Sequence, residues 1–215
     1  MIEVIPAIIP LDFEDLKNKL SKIKGLVKTV QIDVLDGKFV SVASWPYRKE
    51  DSEVLKKNSG EEGLPFLREI DFEIDMMVSD PVNKFEYWVS AGAKRLVAHF
   101  ESVPDFSKVI KDFEERFKTE DSPFVVELGM AFNIDTPNKE IIPFVHEVDF
   151  VQFMGIEKIG FQKQKFNEKV IEKIKSLRKE YPEIIISVDG GVNFETAKLL
   201  AGAGVNRLVS GSFLF

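Results

Sequence analysis

Three runs of apolar sequence carry carboxylates or amides where a buried strand would ordinarily carry none. VQIDVLDG (30–37) holds Gln31 and Asp33 two positions apart, FEIDMMV (72–78) holds Asp75 midway, and IIISVDG (184–190) brings Asp189 next to the pair Gly190 and Gly191. Strand side chains alternate faces, so Gln31, Asp33 and Leu35 share one face, with Ile32 and Val34 on the other. On a parallel strand covered on both sides, an unpaired carboxylate is expensive and needs a reason. One such aspartate alone reads as a loop cap. Asp33, Asp75 and Asp189 together would raise one another's pKa until some took up protons, unless a divalent cation held them. Oxygen-only ligands suit Mg2+ or Mn2+ better than Zn2+.

The elements that would have to position these groups repeat along the chain. Strand-like runs fall at 3–9, 30–36, 72–78, 95–101, 124–130, 150–156, 184–190 and 207–212, and helix-like stretches such as FEDLKNKLSKI and NEKVIEKIKSLRKEY lie between most of them. Eight alternating units predict one α/β domain over residues 1–215, a (β/α)8 TIM barrel with parallel strands. Phe215 follows closely on the eighth strand, so the last helix is missing from the pattern, and a partner subunit or the long loop from Phe39 to Pro65 is expected to cover the gap. The NSGEEG segment of that loop reads as an exposed turn.

Barrels of this kind work at the C-terminal ends of their strands, where the loops after strands seven and eight commonly grip phosphate through bare backbone N–H groups. VDGGVNFETAKLLAGAG, with Asn193 as helix N-cap, and SGS (210–212) fit that use. Gly190, Gly191, Gly211 and Ser212 are therefore the candidate phosphate contacts.

These residues resemble the ribulose-phosphate 3-epimerases over nearly the whole chain. QIDVLDGKFV is similar to that family's HIDVMDGxFV, EIDMMVSDP to its VHLMVxxP and LVAHFES to its VHxEA segment. MGIEKIGFQKQKF is similar to MxVNPGFGGQxF, and VDGGVNFETAKLLAGAGVNRLVSGSFLF to the family's ending. The resemblance implies metal-assisted proton transfer at C3 of a ketopentose 5-phosphate, with Asp33 and Asp189 alternating as base and acid. It places the sugar-lining methionine positions on Leu35, Met77 and Met154. Its four metal ligands fall on Gln31, Asp33, Asp75 and Asp189, so the two family histidines are an amide and a carboxylate here. A serine of the first strand is Ala7, and the Gly-Gly pair after strand six is Gln162 and Lys163, where Lys163 offers a point charge in place of backbone N–H groups.

Other readings are narrowed by composition. With 29 basic against 36 acidic residues, a net charge of −7 disfavours nucleic acid or an anionic membrane as partner. The absence of cysteine removes disulfides and thiolate chemistry and fits a cytoplasmic protein. No apolar run approaches the ~20 residues of a membrane span, and Glu3 stands where a secretory signal would be positive. Only His99 and His146 offer imidazoles; His99 reads as a hydrogen-bonded packing residue and His146 as a helix-surface residue. The expected ligand is a small phosphorylated sugar, with a homo-oligomer as an open expectation. A competing reading is a sugar-phosphate-binding barrel that has lost catalysis. The related decarboxylases' Asp-x-Lys-x-x-Asp motif is absent, because DMMVSD has no lysine.

Overall fold

A computed structural model of the chain describes residues 2–51, 63–123 and 125–215. Eight parallel strands close into a barrel in chain order, each paired with its sequence neighbours and β1 with β8. They are β1 Glu3–Ile8, β2 Thr29–Leu35, β3 Asp71–Met77, β4 Ala93–His99, β5 Glu127–Phe132, β6 Phe150–Met154, β7 Ile185–Asp189 and β8 Arg207–Ser210. The described residues include six α-helices: α1 Phe13–Ile23, α2 Phe85–Ser90, α3 Phe106–Phe117, α4 Asn138–Ile141, α5 Lys169–Glu180 and α6 Phe194–Ala203. None of them is long and apolar enough to cross a membrane.

The two faces of each strand do different work. Ile32, Val34, Ile74, Met76, Leu96 and Ala98 point outward and join one large core with the inner faces of the helices. Helix α3 shows why: Phe106, Val109, Ile110, Phe113 and Phe117 recur at intervals of three and four, so one stripe is buried while its lysines and glutamates face water. Asp105 starts that helix by accepting a hydrogen bond from the Ser107 backbone N–H at 3.2 Å.

The fourth and fifth strands sit off the ranges expected from composition. The run RLVAHFE ends as strand at His99, because Phe100–Ser102 turns into a 3-10 helix. FVVELGM begins as strand only at Glu127, which pairs with Arg95, while Val125 is left exposed. Gly129 in β5 is required by packing: a Cβ there would lie 2.3 Å from the Phe150 ring of β6.

The start of the long loop lies against the C-terminal end of the barrel, where Phe39 and Val40 pack with Leu35 and Met77. Farther along, Trp45 is buried between Phe13 and Trp88, with ring centroids 5.7 and 6.2 Å away. The NSGEEG stretch lies, except for Gly63, outside the described residues. Beyond β8, Gly211 accepts backbone hydrogen bonds from Leu214 and Phe215, and no helix follows among the described residues, as the pattern predicts.

Candidate active site

Strand register sets the site's levels. Gln31 pairs with Glu73, Asp33 with Asp75 and Leu35 with Met77 between β2 and β3, so one face of the two strands climbs from a charged floor through the carboxylates to an apolar rim. Asp189 ends β7 opposite Met154 of β6. One carboxylate oxygen from each of Asp33, Asp75 and Asp189 lies within 4.8 Å of the other two, and the three side chains are buried.

Gln31 lies between two of them. Its Nε2 donates to Asp33 Oδ1 at 2.7 Å and to Asp189 Oδ2 at 2.9 Å, while its Oε1 is buried without a hydrogen-bond partner. Asp75 is held from the other side, with His99 Nε2 hydrogen-bonded to Oδ1 at 2.9 Å and Gln152 Nε2 reaching Oδ2 at 3.5 Å. Ser187 Oγ donates to Gln152 Oε1 at 3.0 Å, so the chain of contacts runs from β7 through β6 to β3. Gln31, Asp75, His99, Gln152 and Ser187 are fully buried.

Burial, with the crowding of like charges, shifts the acids upward. Burial, then the charges of Asp189 and Asp75, raise Asp33 well above the usual carboxylate range. Asp189 is pushed up to about 7 by burial and by Asp75, against the lowering effect of the Gln31 hydrogen bond. For His99, burial pulls the pKa down, but the charge and hydrogen bond of Asp75 outweigh it, so the ring holds its proton more firmly than usual.

A cavity of about 530 Å3 opens above these groups. Asp33 and Asp189 reach it from below, and Ala7, Met77 and Met154 supply apolar wall. Leu35 stands back from that wall, packed against Val40 and Met77. The same cavity is bordered by Gly190, Gly191, Gly211, Ser212 and Lys163, so every residue expected to contact the sugar phosphate except Leu35 lines one space. Gly190 and Gly191 have φ of 96° and 70°, a left-handed pair that lets the chain turn sharply between β7 and α6. Asn193 caps α6 as expected: its side chain accepts from the N–H groups of Glu195 and Thr196, and Thr196 Oγ1 accepts from the Asn193 N–H. Lys163 also has a positive φ, 59°, a conformation that costs a lysine what it would not cost the glycine it replaces in the family pattern.

Sequence reasoning passed over Gln152 and Ser187. The signal was available, since VQFM repeats the pattern of VQID: an amide alone within an apolar strand. His99 is hydrogen-bonded as expected, and its partner turns out to be Asp75. His146 is exposed in a turn instead of on a helix, edge-on to the Tyr181 ring with centroids 5.0 Å apart.

The chain is similar to known proteins over its full length. The model of the ribulose-phosphate 3 epimerase family matches residues 3–215. Ribulose-phosphate 3-epimerase of Bacillus subtilis (strain 168) is 31% identical over 222 residues, covering 100% of this chain and 93% of the relative. That of Schizosaccharomyces pombe is 27% identical over 216 residues, covering 99% and 86%. Among solved structures, KGPDC from Streptococcus mutans superposes with a TM-score of 0.65 at 15% identity, over 98% of this chain and 88% of that one. The 3-hexulose-6-phosphate synthase from Salmonella typhimurium gives 0.66 at 14%, over 98% and 89%. At such identities the two structures speak for the barrel alone. The match to the family model over essentially the full length, and the relative at 31% identity, are what place this chain in the ribulose-phosphate 3-epimerase family.

Proposed function

We propose that the protein interconverts ketopentose 5-phosphates epimeric at C3, with Asp33 and Asp189 as the two proton-transfer groups. The observation that carries this reading is the pair itself: two buried carboxylates from β2 and β7, joined through one amide, that line a cavity together with the glycine loops. One carboxylate removes the C3 proton as the C3–H bond breaks, and the electron pair passes into the carbonyl to give an ene-diolate. The other, protonated, returns a proton to C3 from the opposite face. The cycle needs one acid and one base, and in the metal-free protein the raised pKa values of the pair favour retention of a proton between them.

The donor set suits a hard divalent cation. Three carboxylate oxygens within 4.8 Å of one another match the oxygen preference of Mg2+ or Mn2+, and Asp33, Asp75 and Asp189 would hold it. When bound, such an ion stabilises negative charge on the ene-diolate oxygens. Met77 and Met154 shield the reacting carbon from water, while the N–H groups of the 190–191 and 211–212 loops and the Lys163 ammonium receive the phosphate.

The test is solvent exchange. Ribulose 5-phosphate incubated with the protein in D2O, with Mg2+, Mn2+, Fe2+ and Zn2+ in turn, should acquire deuterium at C3, read by proton NMR. Binding of the sugar phosphate with no label under any ion would favour the binding-protein reading and sink this one.

A further inference from the structure

We infer that Gln31 is a positioning residue: its side-chain NH2 is a two-armed bridge that fixes the separation of Asp33 and Asp189, a role different from that of a metal ligand. A ligand must offer a lone pair, and the nitrogen of an amide has none to give because it is delocalised into the carbonyl. In this site the nitrogen faces the carboxylates, at 2.7 and 2.9 Å, and the carbonyl oxygen points away into a buried position without a partner. Exchanging the two amide atoms would set Oε1 against two carboxylate oxygens and leave the NH2 buried and unpaired, which is the worse arrangement on both counts.

The bridge has a mechanical consequence. Asp33 and Asp189 are on strands far apart in the chain and repel each other when both are ionised. Two N–H bonds on a single planar group give each carboxylate one donor and set the distance between them without help from a cation. Asp75 is tied separately to His99 and Gln152, so all three carboxylates are oriented by neutral or cationic neighbours within the barrel. A positioned pair of this kind is where a misplacement of the order of 1 Å costs about 100-fold in rate.

Glutamate at position 31 separates bridge from ligand, because it keeps the shape and offers better ligand atoms but has no N–H to donate. For a bridge, Gln31→Glu and Gln31→Leu should each lower kcat on the order of 100-fold with KM changed less than about threefold. Mn2+ added alone, followed by its EPR signal, should bind Gln31→Glu at least as tightly as the wild type. A Gln31→Glu variant that keeps wild-type kcat overturns the bridge. The kinetic arm rests on the epimerase reading, so a second measurement stands apart from activity and needs no variant to fold. The chain has only four glutamines, at 31, 152, 162 and 164, so [15N]glutamine labelling gives four side-chain pairs. In EDTA, both Gln31 amide protons should be shifted downfield and slow to exchange with solvent. Free exchange of that pair overturns the inference whether or not the protein turns over a sugar.

Discussion

Asp33 and Asp189 carry the most direct prediction at the scale of single residues. Replacing either by Asn keeps its shape and its contact with the cavity but removes the exchangeable proton, so kcat should fall by a factor on the order of 100 to 10,000 while sugar-phosphate affinity changes little. Calorimetric titration with ribulose 5-phosphate beside the turnover assay checks this; equal loss of affinity and rate would argue against proton-transfer roles. Lys163 offers a trade-off. In Lys163→Gly the left-handed backbone is relieved, which should stabilise the fold by ~1 kcal/mol in urea unfolding. KM should rise at the same time, because a cation facing the phosphate is lost. A stabilised variant with unchanged KM would mean that Lys163 does not touch the ligand. The aspartates were legible because a carboxylate in the middle of an apolar strand contradicts its surroundings. Gln31, Gln152 and Ser187 were harder to place, since amides and hydroxyls are individually ordinary and their meaning comes from partners as much as 158 positions away.

Elements were easier to read than their ends. The alternation of apolar runs and helical stripes foretold all eight strands, yet β4 and β5 were displaced by a few residues. Composition could not show that Phe100 would turn to meet Phe106 and Phe144, at ring distances of 6.0 Å, instead of extending the strand. The N-terminus of α6 was legible down to its cap, because Asn followed three residues later by Thr can satisfy free N–H groups in both directions. That cap predicts a local and a functional effect. Asn193→Ala should cost ~1 kcal/mol of stability. Asn193 borders the same cavity as Gly190 and Gly191, so loosening the first turn of α6 should also raise KM for the sugar phosphate. Thermal unfolding and steady-state kinetics on one preparation check both; a loss of stability with unchanged KM would detach the helix from phosphate binding.

The closed barrel followed from counting units, but the charged floor inside it did not, because it is assembled from strands spread along the chain. Glu73, fully buried and one level below Asp75, has Arg95 at 3.6 Å, and Arg95 and Arg207 are in turn shared with Glu3 and Glu127. Burial raises Glu73 from an ordinary 4.5 to about 7, although Arg95 and Arg207 pull it down; Asp75 and Glu3 push the same way as burial. Because the folded value is the higher one, the proton stabilises the native state. That contribution is complete below about 4.5 and is lost as pH rises through about 7, at up to ~1.4 kcal/mol per pH unit in between. Asp189 acts in the same direction in metal-free protein. At the ends of the strands, partial burial pushes Asp36 and Asp71 up, but hydrogen bonds and, for Asp71, two lysines outweigh it and hold both below their usual 3.8. These two contribute the opposite way and weaken the fold only as pH falls through their lowered values. The two windows do not overlap, so the whole molecule in EDTA should be most stable in the mildly acidic interval between them and should weaken toward pH ~7.5. Glu73→Gln keeps the shape and cannot ionise, so its stability relative to wild type should improve steadily from pH ~5 to pH ~7.5 in urea unfolding. Two parallel curves across that range would mean that Glu73 is already ionised in the folded barrel, with Arg95 and Arg207 fully compensating its burial.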